Sequence, residues 1–223
     1  MNDFEVVLLA QKNVFVLDKL IPISKYSPID LSNKNLELAP ILTSPPEFEN
    51  YIDSNLAKSN AIVAFGGYLE KRNLYNQSTI FQSFDEVRNI HIGIDLWVKA
   101  GTTVLAALDG IVFSIQNNVG IGNYGPTIIL EHKIENQKFW TLYGHLSLDS
   151  VHDLKKGTAV SNGSVIATLG ISAENGNYAP HLHFQIIRDI NDFTGDYPGV
   201  CSEAKLSFYR NNCPDPNLLL KIK

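Results

Sequence analysis

Between residues 104 and 187 the apolar residues come in short runs of strand length, at 104–108, 110–115, 127–130, 138–143, 164–169 and 183–187. They are rich in β-branched and aromatic side chains, which suit a pleated and half-buried surface. Asn117-Asn118, Glu135-Asn136 and Asn162-Gly163 punctuate them as turn signals. No single run could cover itself, so such a series has to fold into layered sheets. The expected class is mainly β: an antiparallel, two-sheet, sandwich-like core.

The first 60 residues read differently. Pro45 and Pro46 follow Ser44, a plausible helix cap, and a short helix over 47–58 carries Phe48, Tyr51, Ile52 and Leu56 at helical spacing. The tract 4–20 is apolar in patches and reads as helix or strand. The expected organisation is a partly helical N-terminal extension over 1–60 that covers the core, a central domain over 61–190, and a C-terminal strap over 191–223. In the strap, Leu218, Leu219 and Leu220 pack back onto the domain.

A chain of 223 residues with 44% hydrophobic content can bury a full core, and its net charge of −5 without a basic run argues against a nucleic-acid partner. No segment approaches the roughly 20 apolar residues of a membrane-spanning helix. The N-terminus shows no positive leader, so the expected location is cytoplasmic, or periplasmic or extracellular if a leader has been removed. Cys201 and Cys213 stand outside any CxxC pattern; they read as free thiols in a reducing compartment or as a short C-terminal disulfide in an oxidising one.

Four of the six histidines fall on strand-like segments: His91 with Asp95, His145, and His181 with His183. Neutral imidazole and carboxylate are ligands for Zn2+, and a catalytic zinc takes three protein ligands and an open position. In an extended strand, positions 91 and 95 share a face but lie roughly 13 Å apart. Binding one ion therefore demands a bend, which Gly93 permits. The rings of His181 and His183 project from one face about 6–7 Å apart, so one can bind metal while its neighbour faces water or substrate. His132, at the charged end of its run, reads as solvated, and His152 as a loop residue.

The region 90–187 resembles the lysostaphin-type (LytM-like) zinc metallopeptidases, many of which cut peptide crosslinks of bacterial cell walls. The resemblance is carried by His91-Ile-Gly-Ile-Asp95, Ala106-Ala-Leu-Asp-Gly-Ile-Val112, Thr141-Leu-Tyr-Gly-His-Leu-Ser147 and Ala179-Pro-His-Leu-His-Phe184. It implies one zinc per chain on His91, Asp95 and His183, with His145 and His181 as catalytic histidines that do not bind the metal. The implied activity is hydrolysis of a peptide bond, with a peptide or peptidoglycan as substrate. Two alternatives are a catalytically silent groove that binds peptide or glycan, and an intracellular zinc amidase acting on a small peptide or amine metabolite.

There is no H-E-x-x-H glutamate base, so a histidine has to take the proton, which its pKa near 6.5 suits. His181 is the better base; His145 would stabilise the oxyanion or reprotonate the leaving amine, and the two could share both duties. Arg72 is expected to hold a substrate carboxylate, with Glu70 orienting it and Tyr143 as a further substrate contact. The stretch 76–89 is longer than in other family versions, which bears on groove shape. Asn175-Gly176-Asn177 reads as a flexible loop on the groove rim.

Overall fold

Strand alternation decides what each layer of this molecule contains. A computed structural model describes residues 1–78, 81–83 and 86–222. In chain order the elements are α1 (Asp3–Ala10), β1 (Tyr26–Pro28), α2 (Pro45–Ser59), β2 (Val63–Gly66), β3 (Gln82–Ser83), β4 (Glu86–Val87), β5 (Ile90–His91), β6 (Ile94–Trp97), β7 (Thr103–Leu105) and β8 (Gly110–Asn118). They continue with β9 (Gly125–Ile134), β10 (Gln137–Gly144), α3 (Ser150–Asp153), β11 (Ala159–Val160), β12 (Val165–Thr168), β13 (His181–Ile187), β14 (Val200–Cys201), α4 (Leu206–Asn212) and α5 (Asn217–Leu220).

Eight strands form one sheet in the order β1-β2-β6-β13-β10-β9-β8-β11, antiparallel throughout except for the parallel pair β1–β2. A separate β7–β12 ribbon is packed against it through the shared core, so the fold is mainly β, as expected. Two-residue β9–β10 hairpin geometry is set at Glu135, which takes a left-handed φ of 53°. Asn117 and Asn118, expected to turn, instead end β8. The reason lies far along the chain: the Asn118 amide is buried and donates to Thr127 Oγ1 (3.0 Å) and to the Gly195 carbonyl (2.9 Å).

On β9, β10 and β13 alternate side chains enter different layers. Ile128, Leu130, Tyr143, Leu182, Phe184 and Ile186 face one layer with β7, β12, α1 and α5. Ile129, Trp140, Leu142 and Ile187 face a second, closed by Tyr197, Cys201 and Cys213 of the C-terminal tail. Each such burial stabilises the fold by roughly 1.5–3 kcal/mol over exposure. Leu219 and Leu220 are buried in the first layer.

The tract 4–20 contains helix α1, closed by an Asn2–Glu5 capping box, and then irregular chain in which Leu17 bridges Val104. Beyond it, β1 covers the β2 edge of the main sheet. In α2, Ser44 holds the N-cap position but its side chain caps nothing. Pro45 and Pro46 supply no N–H at the positions a capping hydroxyl serves first. Phe48 of α2 packs edge-on against Trp97, with centroids 5.3 Å apart, and Trp97 in turn stacks on His181 at 3.8 Å. The N-terminal tract thus supports one of the candidate site residues through a single indole. Among the described residues no helix is long and apolar enough to cross a membrane.

Candidate metal centre

His91 ends β5, and the chain breaks at Ile92-Gly93 before β6 presents Asp95. The break brings the two side chains together, as the bend argument requires. Gly93 is also needed for packing, because a Cβ there would lie 2.6 Å from Cε1 of His183. Antiparallel pairing of β6 with β13 sets His183 opposite Asp95. The outcome is a triangle of donor atoms: His91 Nε2 to His183 Nδ1 2.9 Å, His91 Nε2 to Asp95 Oδ1 3.3 Å, and His183 Nδ1 to Asp95 Oδ1 3.1 Å. Ligands about 2.0–2.1 Å from a tetrahedral zinc would stand roughly 3.3 Å apart.

The hydrogen bonds on the far side of each ring fix its tautomer. His91 Nδ1–H donates to the Gly67 carbonyl (3.2 Å), leaving Nε2 as a bare lone pair. Gln185 donates through Nε2 to the Pro198 carbonyl (3.1 Å) and to Cys213 Sγ (3.3 Å). Its Oε1 is therefore turned towards His183 and accepts from Nε2–H at 2.9 Å, leaving Nδ1 bare. Two bare nitrogens and a carboxylate oxygen converging with no proton between them repel one another unless a cation lies among them. That donor set fits a zinc ion, and these are the described residues that could hold one.

Arg72 is fully buried and faces the other carboxylate oxygen, with Nη1 2.5 Å from Asp95 Oδ2 and Nε 2.6 Å from Glu70 Oε2. Burial alone would raise the Asp95 pKa; the buried Arg72 guanidinium on Oδ2 outweighs it and holds the carboxyl well below the usual range. Burial lowers His91 to about 3, so it stays neutral and able to ligate.

His145 and His181 stand beside the triangle with ring centroids 4.2 Å apart. His181 Nε2 is 3.8 Å from Asp95 Oδ1. Each ring donates Nδ1–H to a backbone carbonyl, of Asn175 (2.7 Å) and Ala179 (2.8 Å) respectively, which leaves Nε2 unprotonated in both. Burial lowers His181 to about 4 and His145 well below its ordinary value. All five side chains line one cavity of about 290 Å³.

One expected substrate contact is corrected here. Tyr143 faces the layer on the opposite side of the sheet, where its hydroxyl accepts from the Ala107 N–H at 2.9 Å. Arg72 is buried at the cavity wall, with Nη1 on Asp95 and Nε on Glu70, so it positions the Asp95 carboxylate, while its Nη2 has no hydrogen-bond partner among the described residues. Glu70 orients Arg72 as expected, accepting from its Nε and from the Leu31 N–H (3.1 Å), and does not itself line the cavity. The 175–177 loop is packed. Asn175 is buried, its carbonyl holds His145, and the Gly176 carbonyl accepts from the Gly122 N–H at 2.8 Å. His132 is buried rather than solvated, and His152 lies in α3. Cys201 and Cys213 are buried free thiols, pushed up by burial to about 11 and about 12. Part of the 76–89 stretch, at 79, 80, 84 and 85, lies outside the described residues.

Sequence reasoning missed Tyr124 and Tyr178, both cavity-lining, whose rings flank His145 at 5.6 Å and 5.1 Å. Burial raises both phenols well above their usual range, so both remain protonated donors. Tyr178 lay three residues before His181 and could have been weighed on that ground. Gln185, Gly67 and Asn175, which orient three of the rings, gave no local signal.

Residues 89–194 match the model of peptidase family M23. An uncharacterized metalloprotease of Haemophilus influenzae is 35% identical over 116 residues, which are 50% of this chain and 22% of that protein. This chain therefore spans under a quarter of that relative's length. Among solved structures, a zinc-containing peptidase from Vibrio cholerae is 30% identical, over 44% of this chain and 27% of its own, with a TM-score of 0.35. The catalytic domain of the antimicrobial peptidase lysostaphin from Staphylococcus simulans is 27% identical, over 55% of this chain and 80% of its own, with a TM-score of 0.37. The stretch 89–194, which carries the five site residues, is similar to peptidase family M23.

Proposed function

We propose that the protein is a zinc-dependent hydrolase of peptide (amide) bonds. The observation that carries this reading is the pairing of an ion-ready triangle with two further imidazoles whose Nε2 atoms are unprotonated beside it. In this reading His91, Asp95 and His183 hold the ion, and Arg72 keeps Asp95 ionised and aimed. When bound, zinc would supply Lewis acidity towards a carbonyl and make water more acidic.

The remaining work falls to the chain. His181, stacked on Trp97 and within 3.8 Å of Asp95, is the group suited to take a proton from the attacking water. His145, protonated in turn, delivers a proton to the leaving nitrogen or stabilises the developing oxyanion. In balance, a C–O bond forms from water and the C–N bond breaks. Both water protons end on the released nitrogen, one delivered as the C–N bond breaks and one lost from the new carboxyl, and the products are a carboxylate and a protonated amine.

A peptidoglycan crosslink is one amide substrate within this reading. A silent binding groove is the competing one, and it would leave the two unprotonated histidines without a task. The test is elemental analysis followed by hydrolysis of defined peptides before and after chelation. We expect one zinc per chain and turnover that disappears with the metal and returns with it; stoichiometric zinc without turnover on any amide would favour the silent groove.

A further inference from the structure

Two neighbouring strands carry most of this site. β6 and β13 run antiparallel, with Asp95 opposite His183 and Trp97 opposite His181. Residues two apart on a strand share a face, so Trp97 and His181 meet as a cross-strand pair next to the pair that offers metal ligands. Their rings lie nearly parallel, 21° apart in plane and 3.8 Å apart at the centroids. His181 is also tied at one edge, where Nδ1–H donates to the Ala179 carbonyl at 2.8 Å. A single hydrogen bond leaves a ring free to tilt about that bond, and a stacked face removes the tilt. The two contacts together fix where Nε2 points.

Both contacts are backed by chain that precedes the family-matched stretch. Trp97 and Ala179 share one apolar cluster with Ile29, Leu31, Phe48 and Ile52, all four of which lie before residue 89. On the β2 side the small Ala64 stands opposite Trp97, and Phe48 of α2 meets the indole in a T-shaped contact at 5.3 Å. Trp97 is fully buried, and among the described residues its Nε1–H has no hydrogen-bond partner. A buried indole ordinarily finds a partner for that N–H. Here packing, rather than a polar anchor, sets the indole's position, and on the side of α2 that packing is Phe48.

We infer that Trp97 is a positioning residue for His181, and that helix α2 acts on the reaction through Phe48 by holding that indole in place. The inference rests on the hydrolase reading and extends it to the N-terminal tract, which would set the rate through His181 alone.

The test uses the zinc-loaded full chain carrying Trp97→Leu, Trp97→Phe or Phe48→Ala, and it has two readouts. The first is the Nδ1–H proton of His181, followed by NMR of the imidazole region and assigned by its absence in His181→Ala. The second is hydrolysis of tetraglycine. The wild-type protein and Trp97→Phe, which keeps an aromatic face, should show the held proton. Trp97→Leu should lose it to exchange with water, and Phe48→Ala should broaden it. Zinc content by elemental analysis should stay at the wild-type level in all three variants. Trp97→Leu should lower kcat about tenfold or more with KM unchanged, Phe48→Ala about threefold, and Trp97→Phe should recover most of the loss. In the His181→Ala background, Trp97→Leu should cost less than about twofold more, because a residue that acts only through His181 has nothing left to act on.

Each other outcome decides something. A His181 signal and turnover both retained in Trp97→Leu would overturn the inference. Equal losses with and without His181 would also reject it, since Trp97 would then be a general support of the fold. If Trp97→Leu does not fold, Phe48→Ala decides, and an unchanged signal with unchanged turnover there would refute the role of α2. Failure of the wild-type protein to cut tetraglycine or any other defined peptide, with the His181 signal still lost in Trp97→Leu, would count against the hydrolase and keep Trp97 as the residue that orients His181.

Discussion

His132 and His145 are both buried, both donate Nδ1–H to a backbone carbonyl, and both are held neutral by desolvation. They differ at the second nitrogen. His132 Nε2 accepts from the Thr141 hydroxyl at 2.7 Å, so the ring is spent on structure. His145 lines a cavity beside His181, and its Nε2 has no such partner. Burial and a lowered pKa therefore do not mark a functional histidine; an orienting bond on one nitrogen and an available lone pair on the other do.

The strongest way to break this comparison is to remove a ring whose lone pair has been assigned to the ion. His183→Ala should abolish bound zinc, and with it all turnover, because two remaining ligands are too few for a stable site. Elemental analysis of the purified variant reads this directly, and full retention of zinc would remove His183 from the ligand set. Next, His145→Ala and His181→Ala should keep stoichiometric zinc and an unchanged fold while each loses about 100-fold or more in turnover. Near-normal turnover in both would dissolve the distinction between a spent and an available nitrogen.

A smaller effect is expected one bond further out. Gln185→Leu removes the acceptor that sets the His183 tautomer, and zinc affinity should fall about 10–100-fold in a chelator competition. An unchanged affinity would mean that the tautomer is fixed by something other than Gln185.

The smallest effect is at His132. Its folded pKa of about 4 lies below the ordinary 6.5, so on acidification the unfolded chain takes up the proton first. The stability it contributes is complete above pH ~6.5 and is lost as pH falls towards ~4, at up to about 1.4 kcal/mol per pH unit. His132→Gln should flatten that slope in denaturant titrations at about pH 5 and pH 7 and leave turnover within about threefold. A hundredfold loss of turnover would place His132 with the functional rings.

Much of the site was legible because it rests on local text. The H-x-x-x-D and H-x-H spacings, together with Gly93, already required a bend and a shared face. Period-two reasoning would also have placed His132 inward, since it alternates with Glu131 and Lys133 and follows Ile128 and Leu130 on one face. Tyr143 misled for a physical reason: two residues from His145, it would share its face in a regular strand. However, β10 ends at Gly144, and His145 takes a left-handed φ of 63°, which breaks the alternation. The Arg72–Asp95 contact, the Gln185–Cys213 contact and the pairing of the tail with β5 were out of reach of any sequence pattern, because the partners lie 23, 28 and about 110 residues apart.

The central claim is that lone pairs left bare by far-side hydrogen bonds define the metal site, and anomalous diffraction at the zinc edge from the wild-type protein tests it most directly. The account predicts a single peak bonded to His91 Nε2, Asp95 Oδ1 and His183 Nδ1, with the Nε2 atoms of His145 and His181 outside the coordination shell. A peak ligated by His145 or His181, or a site lacking any one of the three named atoms, would contradict it.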